Sequence, residues 1–420
     1  MKQVISERSF RLLMNPRPVR SEGYAKRSRS KILCLSDLAR AKQEITSWPG
    51  YEATALRSLN GIARAIGIKA IFYKDEGARF GLGSFKALGG AYAVATLLQS
   101  EVHRQTGAYP SSSDLSDRKF RSITSKLTVA CATDGNHGRS VAWGASMFGC
   151  RCIIYVHAHV SQARRDAIKA YGAEVRAVHG NYDDSVRQVA RDAAQHDWRI
   201  VSDTSYEGYT DIPRHVMQGY GVMADEIFAQ MPRDSFPTHV FIQGGVGGLA
   251  ASICSYLWEK FDEKAPSIFV VEPDKAPCIL ASAEAGRPTT VKGDLNTIMA
   301  GLACGEVSLL AWSILERGVD GFLAVSDESA AETIKLLADA PFRDVPVVAG
   351  ESAVAGLTGL LLAARDDDAR QQVRLDENSI ILLIGTEGAT DPSVYQSLVD
   401  RSPDEVSGAD KLASTARRVS

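Results

Sequence analysis

The sequence predicts an α/β protein whose mainly parallel sheets are covered by helices. Three observations predict it. Short apolar, β-branched runs alternate with longer helix-like stretches through most of the chain, the pattern of parallel strands with helices on both faces. Runs such as TVACAT at 128–133 and CIIYV at 152–156 are apolar almost throughout, as strands buried on both sides require. A chain of 420 residues also exceeds one ordinary core, so two packed units are expected.

In chain order, strands are expected at Thr128–Ala132, Cys152–Val156, Glu174–Val178, Thr238–Gln243, Ser267–Glu272 and Ser379–Gly385. Helix-like stretches lie at Arg139–Phe148, Ala163–Tyr171, Asp183–Ala194 and Leu249–Phe261. Gln105–Lys126 is polar, with Pro, Gly and Ser, and reads as a surface connection or insertion. Arg401–Ser420 is polar and charged and is expected to end as a mobile tail.

Charge excludes some partners. Lys+Arg is 48 and Asp+Glu is 50, a balance with no long-range attraction for nucleic acid or an anionic membrane. No apolar run approaches the roughly 20 residues of a membrane helix. The opening MKQVISERSFRLLMNPRPVR lacks the apolar core of a secretory signal, so a cytoplasmic location is expected. Of 7 cysteines only Cys150 and Cys152 are close, and their spacing suits neither a zinc nor a redox C-x-x-C motif. No metal site is expected, and the scattered cysteines read mostly as small buried apolar residues.

Three segments carry chemistry. The first is KDEGARFGLGSFKALGGAYAV at 74–94: a strand-like run, a glycine-rich turn, Ser84-Phe85-Lys86, then an Ala/Gly-rich helix. A lysine at a helix start meets the positive end of the helix dipole, which favours its neutral amine. A neutral amine attacks an aldehyde to form a Schiff base. The plainer reading is a solvated lysine near a turn.

The second is CATDGNHGRSVAWGA at 131–145, a strand running through Asp134-Gly135-Asn136-His137-Gly138 into a helix. The glycines let backbone approach a flat ligand. Asn136 can donate to a ring oxygen. Asp134 stands at the carboxyl end of a strand, where open α/β sheets bind ligands. The alternative is a simple turn with Asp or Asn as the helix N-cap.

The third is FIQGGVGGLAA at 241–251. Strand, glycine turn and helix form a nest of N–H groups suited to a phosphate. Neither a Walker A loop nor the dinucleotide G-x-G-x-x-G spacing is present. A small phosphorylated cofactor therefore fits, against the alternative of a close helix–strand packing turn.

Taken together, these segments resemble the fold-type II pyridoxal 5′-phosphate enzymes, over roughly residues 40–400, with LLIGTEGATD matching the last cofactor loop. Within that group the chain looks most like the diaminopropionate ammonia-lyases, through TDGNHG at 133–138, SDTSYEGYTDIP at 202–213, VEPDKAPC at 271–278 and TIMAGLACGEVS at 297–308. Asp134 is the chief discriminator, since threonine and serine dehydratases usually carry a small residue there.

The resemblance implies a two-domain fold-type II enzyme with the cofactor in the interdomain cleft. Residues 1–89 and 205–420 would form the large domain and 90–204 a small inserted α/β domain. The implied cofactor is pyridoxal 5′-phosphate. Lys86 would hold it as a Schiff base, Gly245, Val246, Gly247, Gly248 and Leu249 would bind its phosphate, and Asn136 would contact the ring oxygen. Phe85 would border it, and Thr386 would face the pyridine nitrogen, because the aligned position is Gly385. Asp134 and Asp203 would be the acid–base pair. His137 reads as structural. The plainer reading of Asp203 is a turn cap before Thr204-Ser205.

The implied reaction is α,β-elimination of 2,3-diaminopropionate, D and L forms, to pyruvate and two ammonia, by a carbon–nitrogen lyase. A threonine or serine dehydratase of the same fold is the nearest alternative. A β-replacement synthase fits less well, because no second nucleophile site is identified. A non-catalytic pyridoxal-phosphate- or phosphate-binding protein is the alternative from another class. The family also implies a homodimer. Cys278 and Cys304 read as two separate thiols, with a redox-sensitive pair near the site entrance as the alternative.

Overall fold

A computed structural model describes residues 4–6, 9–18, 31–133, 135–158, 160–180 and 182–408. Asp134 and residues 409–420 lie outside the described residues. The strands are β1 (Arg11–Met14), β2 (Leu56–Ser58), β3 (Ala70–Asp75), β4 (Thr128–Ala132), β5 (Arg151–His157), β6 (Glu174–Val178), β7 (Arg199–Ile200), β8 (His239–Gln243), β9 (Ser267–Pro273), β10 (Gly321–Val325) and β11 (Ile380–Gly385). Among the described residues they form two sheets. One has seven strands in the order β1-β10-β9-β8-β11-β3-β2, the other four in the order β6-β5-β4-β7.

The smaller sheet is entirely parallel. In the larger, only the edge pairs β1–β10 and β2–β3 are antiparallel. β8 and β11 lie near the centre of the larger sheet and are buried along their whole length. Their sequences, HVFIQ and IILLIG, are correspondingly apolar on both faces. Each predicted strand is present, with ends within one residue. The edge strands β1 and β2 and the short β7 escape the sequence reading because they are two to four residues long and only partly buried. β10 escapes too, although its run GFLAV is fully buried.

The helix Lys86–Thr106 begins at the larger sheet and runs into the smaller unit. The expected boundary between residues 89 and 90 falls inside it. It packs against helices Asn136–Phe148 and Asp211–Gln230. Contact there is at backbone distance. A Cβ added at Gly144 would lie 2.7 Å from the Ala91 Cα, and one at Gly90 would lie 2.5 Å from the Ser140 Oγ. Gly219 rests directly on the Leu88 carbonyl. The core on this side is continuous, from Leu38 through Tyr92 and Val141 to Tyr220.

A buried ion network fixes the approach to this helix. Arg79 pairs with Glu76 at 2.8 Å and Glu226 at 2.7 Å. Lys74 donates to Glu226 at 2.6 Å, the Thr54 carbonyl at 2.7 Å and Gln230 Oε1 at 3.1 Å. The network joins β3 and the turn Glu76–Gly81 to the helix Asp211–Gln230.

The first part of the expected tail is ordered, and the rest, residues 409–420, lies outside the described residues. Residues 403–408 are helical, and Val406 is fully buried in the second core. One apolar side chain among polar neighbours suffices to dock that turn. Gln105–Lys126 is likewise more ordered than a plain connection, with short helices at Ser112–Ser116 and Arg121–Thr124. Its first helix is closed by a capping box between Ser111 and Asp114. Among the described residues, no helix is long and apolar enough to cross a membrane.

Candidate active site

Strand ends from both sheets open on one cavity. It is lined by the turn after β4, the turn after β8, the loop after β11 and the start of the helix Lys86–Thr106. Ligand sites of α/β sheets form at such carboxyl ends.

The Lys86 turn is stitched to the loop after β11 by backbone. The Phe85 N–H donates to the Thr386 carbonyl at 3.0 Å, and the Gly388 N–H to the Gly83 carbonyl at 3.0 Å. Lys86 is the first residue of its helix, and its Nζ lies 2.5 Å from Asp203 Oδ2. The rings of Phe85 and Tyr220 stand 5.3 and 5.8 Å from that nitrogen.

This pairing corrects the expectation of a neutral amine. Burial pushes the Lys86 ammonium down, but the Asp203 carboxylate more than reverses it, so its pKa lies above the usual lysine value. Burial alone would raise Asp203. The Lys86 charge holds it well below the usual carboxylate range. The helix dipole is the weaker effect, because a full charge at hydrogen-bond distance outweighs a half charge spread over a helix turn.

After β4, the alternative of Asp or Asn as a side-chain N-cap gives way to another arrangement. Gly135 is the N-cap residue, and it has no side chain to cap with. Thr133 Oγ1 accepts from the Gly135 and Gly138 N–H groups at 3.0 and 3.1 Å. The helix therefore starts at Asn136, three residues before the predicted Arg139. Asn136 donates its Nδ2 to Glu387 Oε2. His137 bonds the Val201 carbonyl at 2.8 Å through Nε2, and its Nδ1 stands 4.0 Å from Asp203. Burial pushes His137 down. That suits its reading as a neutral structural group.

After β8, Gly245 to Leu249 line the cavity floor. The helix Gly248–Phe261 starts there with Gly247 as N-cap at φ 91° and no side chain capping it. Its first N–H groups have no partner within their own helix. From behind, the turn is tightly backed. A Cβ at Gly245 would lie 3.1 Å from the Gly301 carbonyl, and one at Gly247 would lie 3.0 Å from Leu315 Cδ1. An uncapped helix start, with glycines where side chains find no room, is a fitting cradle for the phosphate of pyridoxal phosphate.

The loop after β11 explains the glycine at 385. Any side chain there would run into the Tyr73 hydroxyl. Thr386 therefore presents the hydroxyl, buried at the cavity wall and touched by Gln243 Nε2 at 3.3 Å. Cys304 is partly exposed on the cavity wall, whereas Cys278 is buried with its Sγ 3.5 Å from the Gly245 carbonyl. Neither is in a disulfide.

All sequence-predicted site residues within the described part thus converge: Lys86, Phe85, Asn136, Asp203, Gly245 to Leu249 and Thr386. Among the cavity residues outside the sequence reading are Arg164, Ser352, Tyr220 and Glu387. Tyr220 sits in mid-helix, where no local pattern marks it. Glu387 adjoins Thr386, and an acid beside an expected ligand loop was the available signal.

Comparison with known proteins agrees with this geometry. The family described as pyridoxal-phosphate dependent enzyme matches residues 48–387. Diaminopropionate ammonia-lyase of Escherichia coli (strain K12) is 40% identical over 379 residues, covering 88% of this chain and 93% of that protein. The crystal structure of diaminopropionate ammonia lyase from Escherichia coli in complex with D-serine superposes with a TM-score of 0.84 at 36% identity, covering 93% of this chain and 97% of that one. A second crystal structure of the Escherichia coli enzyme, in complex with an aminoacrylate-PLP azomethine reaction intermediate, superposes with a TM-score of 0.82 at 36% identity, with the same coverage.

Proposed function

The chain belongs to the pyridoxal-phosphate dependent enzymes, within them to the diaminopropionate ammonia-lyases, and from that premise we propose that it converts 2,3-diaminopropionate and water to pyruvate and two ammonia. The observation that carries the reading is the Lys86–Asp203 pair facing the uncapped glycine turn across one cavity. When bound, pyridoxal phosphate supplies an aldehyde for Lys86 and an electron sink for the charge left at Cα.

The chain's own residues do the rest. Gly245 to Leu249 would hold the phosphate, Asn136 would donate to the ring oxygen, Thr386 would face the ring nitrogen and Phe85 would border the ring. Lys86, once its amine is free, takes the Cα proton on its side. Asp203 lies beside that amine and steadies its charge. A carboxylate there also keeps the substrate's β-nitrogen protonated, so that it departs as neutral ammonia.

Asp134 lies in sequence between Thr133 and Gly135, which both line the cavity. We assign it the Cα proton of the D form, with Lys86 serving the L form. Asp134→Ala should then abolish most turnover of D-diaminopropionate while sparing the L form. Equal loss on both would contradict the assignment.

The grouping of residues 90–204 as a small inserted domain is supported by the separate four-stranded sheet, whose strands all lie between 128 and 200. We read the protein as a cytoplasmic homodimer on the family likeness, which sedimentation equilibrium tests. The decisive assay is pyruvate release from D- and L-diaminopropionate, serine and threonine, side by side. Faster release from L-threonine than from diaminopropionate would favour the dehydratase reading. Bound cofactor without turnover of any of the four would favour a binding protein.

A further inference from the structure

Glu387 is a buried carboxylate on the cavity wall, and the reaction proposed above gives it no task. Three donors reach it. The Ser352 N–H meets Oε1 at 3.1 Å, the Thr390 hydroxyl stands 3.5 Å from Oε2, and Asn136 Nδ2 donates to Oε2. The first two belong to the larger-sheet side. Asn136 opens a helix that follows β4 of the smaller sheet.

The carboxylate has little freedom. Its own backbone carbonyl accepts from the Gly350 N–H at 3.0 Å, and its residue bridges antiparallel to Ser84. A Cβ at Gly350 would lie 2.8 Å from Glu387 Cγ. The side chain is therefore fixed by its surroundings and can fix others.

We infer that Glu387 is a positioning residue that sets which end of the Asn136 amide faces the cofactor. The inference rests on the proposed contact between Asn136 and the ring oxygen. The physical reason is an asymmetry of donors and acceptors. A carboxylate only accepts, so it takes the NH₂ end of an amide and repels the carbonyl end. One Asn136 N–H is used on Glu387. The second is left to donate into the cavity that Asn136 lines. An amide without this partner is free to turn over and offer its carbonyl to the ring oxygen, where two acceptors would oppose each other.

The test uses the full chain, freed of cofactor and titrated with pyridoxal phosphate. Dissociation constant and wavelength of the visible band are read for wild type, Glu387→Gln, Glu387→Asp, Asn136→Ala and the Asn136→Ala/Glu387→Gln double variant. Gln at 387 can keep the Ser352 contact only by turning its own NH₂ toward Asn136, which inverts that amide. Glu387→Gln should therefore weaken binding about tenfold and shift the band. Asn136→Ala should do the same, and the double variant should be no worse than Asn136→Ala alone. Glu387→Asp keeps the charge one methylene further back and should fall between wild type and Glu387→Gln. It carries the test if Glu387→Gln does not fold by circular dichroism.

Wild-type affinity and band in Glu387→Gln, or losses that multiply in the double variant, overturn the positioning role while leaving the functional reading intact. Wild-type protein that takes up no pyridoxal phosphate overturns both.

Discussion

Two lysines, Lys74 buried and Lys86 partly buried, lie twelve residues apart in the sequence and have opposite fates. Lys74 meets three acceptors, one for each of its protons, and shares Glu226 with Arg79. Lys86 meets a single carboxylate, two aromatic faces and an open cavity. Burial lowers the Lys74 pKa, and Glu226 only partly offsets it. At Lys86 the same burial is overcome by Asp203. A lysine whose donors are all used is part of the scaffold. One with donors to spare beside a cavity is available for covalent chemistry.

Substitutions that break this contrast should give effects of graded size. Lys86→Ala removes the lysine amine that lines the cavity. Turnover should fall by more than about 10³-fold, and the visible absorption band of the bound cofactor should vanish, while circular dichroism stays as in wild type. A persistent band would defeat the assignment.

Lys74→Met should do the reverse. It leaves Glu226 and two further acceptors underpaired in the core, at a cost of about 3–5 kcal/mol by denaturant titration. The surviving folded fraction should still bind cofactor. Unchanged stability would mean that the network is dispensable.

Asp203→Asn sharpens the contrast by making Lys86 resemble an unpartnered buried lysine. Burial then acts unopposed and the lysine pKa falls below its ordinary value. Cofactor uptake by the variant should consequently begin at lower pH than in wild type, even as turnover drops by about 10²-fold. Uptake that still needs the higher pH would show that Asp203 does not set the charge.

The smallest effect concerns Glu272, a buried carboxyl that receives the Ile279 and Leu280 N–H groups at 2.8 Å each and has no cation partner among the described residues. Burial raises it to about 8 from the ordinary 4.5, against the pull of those N–H groups. Below its ordinary value its contribution to stability is complete. Between there and about 8 the unfolded chain has released the proton and the folded chain has not, so stability declines as pH rises. Glu272→Gln should flatten this part of the melting-temperature profile by a few degrees. An unchanged slope would place the titration elsewhere.

Much of this was legible in the sequence, for physical reasons. β4 is found at its predicted ends because an apolar run between turn residues leaves little choice of register. The glycine turn after β8 was legible because backbone N–H groups need no side-chain code. The pairing of Lys86 with Asp203 was not legible as an ion pair, since its partners are 117 positions apart and only the folded chain sets the distance. Nor was the reason for Gly385, which lies in Tyr73 on the neighbouring strand β3. Val406 was misread because a lone apolar residue in a polar stretch carries no periodicity.

The seam where Gly90, Gly144 and Gly219 let three helices touch has a mechanical consequence. Lys86, Asn136 and Tyr220 all ride on those helices. Interlocked at backbone distance, the three rods cannot slide past one another without collision. The amine, the amide and the phenol are thereby held in one rigid frame around the cavity.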